Sequence, residues 1–190
     1  MDAVAHHYYI AIYNKMSNKS KIKGKSWERD VANFLTKHYN ESFLRVPNSG
    51  AFVGGYNIYR TQTMTEQQVK SFKGDIIPGP SFSNLVIECK NYKEFPFHKL
   101  VFAQEIKQLD EWIKQAQGSC EKNDVWILCI KVTHKSSFVV WDFNQISCPS
   151  DGEYKDYQYC EYNSFWEESS NEVKQACKNY TILIRLKPAH

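Results

Sequence analysis

The run Asp124 to Thr133 constrains this chain more than any other stretch. It is rich in Val, Ile and Trp, apolar enough that a strand built from it belongs in the centre of a sheet rather than at an edge. A second run, Ser137 to Phe143, follows after a short polar turn, and Asn84 to Asn91 precedes it. Between Asn91 and Asp124 an amphipathic pattern places Phe102, Ile106, Leu109 and Ile113 on one stripe, with Gly118 near its end. The sheet therefore has at least one helix laid across it.

The remaining elements follow from periodicity. Trp27, Val31, Phe34 and Leu35 predict a helix from Ser26 to about Tyr39. Short strands are expected at Phe43 to Pro47 and at Phe72 to Ile77, the latter closed by Pro78, Gly79 and Pro80 and forming a hairpin with Asn84 to Asn91. Residues 52 to 71 read as a long loop. A helix is expected from about Ser164 to Lys178 and a terminal strand from Tyr180 to Leu186. This order predicts an α/β (α+β) fold with helices flanking one central mixed β-sheet. At 190 residues, one domain over 26–190 suffices, preceded by a basic extension over 1–25.

Several function classes drop out on composition. No stretch reaches the roughly 18 consecutive apolar residues of a membrane span, and the short apolar run Tyr8 to Tyr13 lacks the flanks of a secretory signal, so an intracellular protein is expected. The six cysteines contain no C-x-x-C pair, which argues for reduced thiols and against structural zinc. The net charge of +3 hides an asymmetry. Residues 1 to 100 carry 14 Lys and Arg against 8 Asp and Glu, and residues 101 to 190 carry 10 against 13. Much of the excess lies in Lys19, Lys21, Lys23 and Lys25, with Arg29 beyond. Such a run suits a phosphate-contacting arm, and equally a solvated tail. The tract Asp151 to Glu172 is acidic and Tyr-rich, and would repel a DNA backbone.

The chemistry is concentrated in Leu85-Val86-Ile87-Glu88-Cys89-Lys90. On a strand, Leu85, Ile87 and Cys89 point one way and Val86, Glu88 and Lys90 the other. In the partner strand of the hairpin lies Asp75, within Lys73-Gly74-Asp75-Ile76-Ile77. If the strands pair, the two carboxylates converge on a point where one divalent cation would be held, since Mg2+ favours one or two carboxylates plus water and phosphate. A metal there activates water for phosphodiester hydrolysis, with Lys90 orienting that water or stabilising developing negative charge. An isolated E-x-K on a strand also arises as a surface ion pair. On the first helix, at about 100° per residue from Trp27, Glu28 borders the buried stripe and can look toward the sheet.

Taken in order, Gly24-Lys25-Ser26-Trp27-Glu28-Arg29-Asp30, Arg45-Val46-Pro47-Asn48-Ser49-Gly50-Ala51, Gly74-Asp75-Ile76 and Ile87-Glu88-Cys89-Lys90 resemble the PD-(D/E)xK nuclease superfamily. Within it they are most similar to the Holliday junction resolvases of archaea and bacteriophages. The resemblance implies a restriction-endonuclease-like core. It also implies Glu28, Asp75 and Glu88 as the acidic metal-binding set and Lys90 as the catalytic lysine. Arg29 and Arg45 would stand near substrate phosphates and Ser49 near the active site, all three as DNA-binding residues, and the charge run adds Lys21, Lys23 and Lys25 as expected DNA contacts. The cofactor would be Mg2+, with Mn2+ able to substitute, and the enzyme a homodimer acting on four-way DNA junctions. A restriction-like, nicking or repair endonuclease is the alternative, and a nucleic-acid-binding module on a decayed nuclease fold a further one. A glutamine on the helix after the E-x-K strand recurs in related nucleases, and Gln104 falls about 200° from Phe102, away from the buried stripe. The proline that precedes the aspartate in the superfamily is replaced here by Gly74.

Overall fold

The computed structural model describes residues 22–47 and 73–185, with side chains described up to residue 178. Lys19, Lys21, Ser49 and the expected loop 52–71 lie outside the described residues. Helix α1 spans 22–39, so it already includes Lys23 and Lys25, which the sequence reading assigned to the extension. Nothing in Ile22 to Lys25 forbids a helix, since lysine is a good helix former and only Gly24 weakens that turn. Strands β1 (Leu44–Arg45) and β2 (Ile76–Ile77) follow, then β3 (Leu85–Tyr92), helices α2 (Phe97–Val101) and α3 (Lys107–Gly118), and strands β4 (Val125–Val132) and β5 (Ser136–Asp142). The chain closes with the hairpin β6 (Gly152–Tyr154) and β7 (Tyr157–Glu161) and helices α4 (Tyr162–Glu168) and α5 (Ser170–Arg185).

The sheet has seven strands in the order β1-β2-β3-β4-β5-β7-β6. It is mixed: β3 and β4 run parallel from Leu85 opposite Val125 to Tyr92 opposite Val132, and every other pair is antiparallel. A parallel pair needs a crossover, which α2 and α3 supply. As expected, β2 and β3 form an antiparallel hairpin, with Ile76 opposite Ile87. Every residue of Val125–Ile130 is buried, in keeping with a central strand.

Alternation along β3 divides the core in two. Leu85, Ile87 and Cys89 pack with Trp27, Val31 and Leu35 of α1 and with Phe165 and Trp166 of α4. On the other face, Val86 packs with Leu109, Trp112, Ile113 and Ala116 of α3. The Trp27 indole N–H donates to the Cys129 carbonyl at 3.0 Å, which fixes α1 over the middle of the sheet.

Four expectations are corrected. Strands β1 and β2 are two residues long, shorter than the runs read at Phe43 to Pro47 and Phe72 to Ile77. The helix expected to carry Phe102 is broken: Ala103 adopts φ 49°, α3 begins at Lys107, and Phe102 is 69% exposed. A left-handed residue cannot continue a right-handed helix, so the true stripe starts at Ile106. Within the tract Asp151 to Glu172 the chain forms the β6–β7 hairpin at the sheet edge far from β2, where Tyr154 is buried and its hydroxyl accepts from the Ile106 amide at 2.8 Å. Finally, 180–185 continue α5 where a strand was expected. The β-branched Thr181, Ile182 and Ile184 favour a strand locally, but no Gly or Pro stops the helix before Pro188.

Candidate active site

Glu88 and Lys90 leave β3 on the face covered by α3. Glu88 is 3% exposed and fully engaged. Its Oε1 accepts from the Ser119 hydroxyl at 3.2 Å, and its Oε2 from the Gln115 amide at 3.3 Å. Lys90 Nζ donates to Gln115 Oε1 at 2.8 Å and lies 3.5 Å from Glu88 Oε2. Gln115 thus clamps both ends of the E-x-K pair, offering its carbonyl to the ammonium and its NH2 to the carboxylate. Burial, and then the charge of Asp75, push the Glu88 carboxyl up to about 7.

Asp75 is placed by backbone geometry where the ladder gives out. Gly74, immediately before it, has φ 66°, and a Cβ there would stand 2.6 Å from the Ile87 carbonyl oxygen. Proline, locked near −65°, has no access to this conformation, which accounts for glycine at the position where the superfamily carries proline. The Asp75 amide donates to the Ile87 carbonyl at 2.8 Å, and the Asp75 carbonyl accepts from the Val46 amide at 2.9 Å. Its side-chain Oδ2 then accepts from the Cys89 amide at 2.9 Å, taking a donor that a longer β2 would have paired. Just upstream, Lys73 Nζ reaches Asp124 Oδ2 at 2.6 Å and Glu121 Oε2 at 3.1 Å, tying this segment to the start of β4.

Glu28 comes from α1, on the opposite face of β3 from Glu88, and its Oε2 is paired with Arg45 Nη1 at 3.1 Å. Burial raises its carboxyl above the usual range, an effect opposed by the Arg45 hydrogen bond and reinforced by the charge of Asp75. The structure thus brings Asp75 and Glu88 together and leaves Glu28 facing Asp75 from the far side in an ion pair. Among the described residues, no group of three or more His, Cys, Asp or Glu is arranged to hold a metal ion. Arg29, Lys23 and Lys25 are exposed on α1, and the Lys23 carbonyl accepts from the Asn91 side chain at 3.0 Å, which sets the basic start of the helix beside the end of β3. Ser49 and Lys21 lie outside the described residues.

Two contact residues escaped the sequence reading. Gln104 is exposed in the linker between α2 and α3, whereas Gln115 and Ser119 hold Glu88. With Leu109 as zero, Gln115 falls at about −120° and Ser119 at about −80°, beside the buried stripe. Their four-residue spacing is visible in the sequence, but only once the helix is phased from Lys107. The donor set of Asp75 and Glu88 fits a hard divalent cation, which takes oxygen ligands and would relieve the repulsion between the two carboxylates.

A mixed sheet with a short edge hairpin, carrying an aspartate just before one strand and a buried E-x-K on the next, defines a PD-(D/E)xK nuclease fold. The chain belongs to the family described as "Phage putative PDDEXK endonuclease", which matches residues 19–185. Among solved structures, the Holliday junction resolvase Hjc of Archaeoglobus fulgidus is similar at 16% identity, over 80% of this chain and 99% of that one, with a TM-score of 0.36, a likeness that bears on neither fold nor substrate here. No curated protein matches the sequence. Among the described residues no helix is long and apolar enough to cross a membrane.

Proposed function

We propose that this protein is a Mg2+-dependent, structure-selective endodeoxyribonuclease that acts on DNA inside the cell as a homodimer and prefers four-way junctions. The observation that carries the chemistry is the Asp75 and Glu88 pair, with Lys90 held against it by Gln115. Asp75 and Glu88 would hold the ion, with Mn2+ able to replace it. When bound, the ion supplies Lewis-acid polarisation of the phosphate and easier ionisation of water. Lys90, its ammonium fixed by the Gln115 carbonyl oxygen, orients the attacking water or stabilises charge growing on the phosphate. Glu88, whose carboxyl is raised to about 7 by burial and by Asp75, would hold the ion in its ionised form. Glu28 supports Arg45, and Arg45, Arg29 and the lysines at the start of α1 meet flanking phosphates.

The junction preference rests on the resemblance of the motif set to resolvases, and the homodimer on the two-fold symmetry that paired incisions require. Purified protein with Mg2+ should cut a labelled four-way junction by two symmetric nicks on opposed strands, and a linear duplex, a flap and a single strand far more slowly. Equal rates on duplex and junction would replace the resolvase by a restriction-like or repair enzyme. Full-rate cleavage in excess EDTA would remove the metal.

A further inference from the structure

The face of β3 that carries Glu88 and Lys90 does not end with the lysine. Two residues on, by strand alternation, Tyr92 lies on the same face, about 7 Å further along the strand. Helix α3 runs beside this row and meets it position by position: Ser119 and Gln115 touch Glu88, Gln115 touches Lys90, and Trp112 touches Tyr92 with ring centroids 4.6 Å apart. Trp112 is buried, whereas Tyr92 is 41% exposed. The ring therefore has a fixed backing and an open side.

Its backbone is fixed as well. The Tyr92 carbonyl accepts from the Thr133 amide at 2.8 Å, and the neighbouring Asn91 accepts from the Thr133 hydroxyl at 3.0 Å while its NH2 donates to the Lys23 carbonyl. An aromatic ring in such a place would lose little freedom on binding, and it follows Glu88 and Lys90 on one face of β3. Base faces stack on such rings with little regard to sequence, and the backbone phosphates are met by neighbouring cations.

We propose that Tyr92 stacks on the base of the nucleotide next to the scissile phosphate, so that the site takes a nucleotide whose base face is uncovered, as at a branch point, rather than one stacked inside a continuous duplex. This rests on the nuclease reading above and sharpens its substrate class. In a paired duplex both faces of each base are covered by neighbours, and the ring has nothing to stack on. At a branch a terminal base face is free.

The experiment uses the full chain. Cleavage positions are first mapped with wild-type protein and Mg2+ on a four-way junction, and 2-aminopurine is then placed at the nucleotides flanking the cut. In EDTA, wild-type protein should quench 2-aminopurine at one of those positions, and Tyr92→Leu, which keeps an apolar cover on Trp112, should abolish the quenching. The same variant should weaken junction binding about 5- to 160-fold, the range for loss of one stacked base, and Tyr92→Phe should restore both readouts. If wild-type protein cuts the junction but quenches at no flanking position, or Tyr92→Leu binds as tightly as wild type, the stacking contact is wrong and the nuclease stands. If wild-type protein cuts no DNA at all, the nuclease reading itself falls, and this proposal with it. Should Tyr92→Leu fail to fold, the quenching by wild-type protein decides alone.

Discussion

The two edges of the sheet are built on different terms. At the β7–β6 edge, β7 pairs with β5 along its whole length, from Phe138 opposite Glu161 to Asp142 opposite Tyr157, β6 pairs all three of its residues with β7, and the acidic side chains of the hairpin stay outside. At the β1–β2 edge, each strand contributes two residues, and side chains finish what the ladder leaves undone. The Asp75 carboxylate takes the Cys89 amide, Lys73 joins Asp124, and Arg45 joins Glu28. Every buried carboxylate among the described residues, Glu28, Glu88 and Asp124, lies on this side. Both edges give a leftover amide to a carboxylate, Glu161 to Asp151 at 2.7 Å and Cys89 to Asp75, but the interrupted edge also draws charged side chains into the interior, where they must be paired. The difference explains why the candidate site lies where the sheet is least regular.

The largest contrast is in activity. Asp75→Asn or Glu88→Gln should lower junction cleavage about 100- to 1,000-fold, the scale for loss of a group that serves transition-state charge, with DNA binding nearly intact. Glu153→Gln, on the exposed far hairpin, should leave the rate within about twofold, as surface changes distant from a site do. Gel assays of both variants at saturating DNA decide it, and equal losses would erase the contrast between the edges.

Backbone geometry gives the next effect. Gly74→Ala forces a Cβ to within 2.6 Å of the Ile87 carbonyl at positive φ, and should lower unfolding free energy by about 2 to 4 kcal/mol. Gly118→Ala, where a Cβ meets nothing within 4 Å, should be neutral or stabilising by up to about 1 kcal/mol. Thermal unfolding of the two variants makes the comparison.

Glu88 supplies a pH signature. Its folded carboxyl titrates at about 7 against an ordinary 4.5, so the folded state binds more protons between those values and stability falls as pH rises through that window. Without metal, the loss should reach at most about 3 kcal/mol by pH 8. Glu88→Gln should flatten the curve, and Mg2+ should restore stability to the wild type alone. Denaturant titrations from pH 4 to 8 measure it, and a curve for wild type as flat as that of the variant would show that Glu88 is ionised without cost.

Gln115→Ala should lower kcat about 10- to 100-fold, since Lys90 loses its fixed acceptor while both charged groups remain. The smallest effect belongs to the basic start of the chain. Replacing Lys19, Lys21, Lys23 and Lys25 by Ala should flatten the dependence of log K on log salt by up to about 0.9 per lost duplex contact. An unchanged slope would return the run to a solvated surface.

Much of the active edge was legible because alternation is a strong signal: the apolar Leu85, Val86 and Ile87 mark β3, and with it the common face of Glu88 and Lys90. The pairing of Asp75 with that strand followed from the Pro78-Gly79-Pro80 turn. What was not legible depends on phase and on tertiary contact. The left-handed Ala103 shifted the start of α3 and hid Gln115, because helical angles counted from Phe102 run through a break. The Arg45 partner of Glu28 lies on another element, and no periodicity reports it. The β6–β7 strands were obscured by their polarity, since an edge hairpin with few buried residues lacks the apolar run of β4.

The Val46 amide and the Asp75 carbonyl are hydrogen-bonded at 2.9 Å, so the described residues on either side of 48–72 are held together. The closure entropy of whatever joins them grows only logarithmically, about 0.6 kcal/mol for each doubling in length. The hydrogen bond at its two ends, and not the length of the connection, thus fixes Asp75 beside Glu88, and a change in that length should cost little stability.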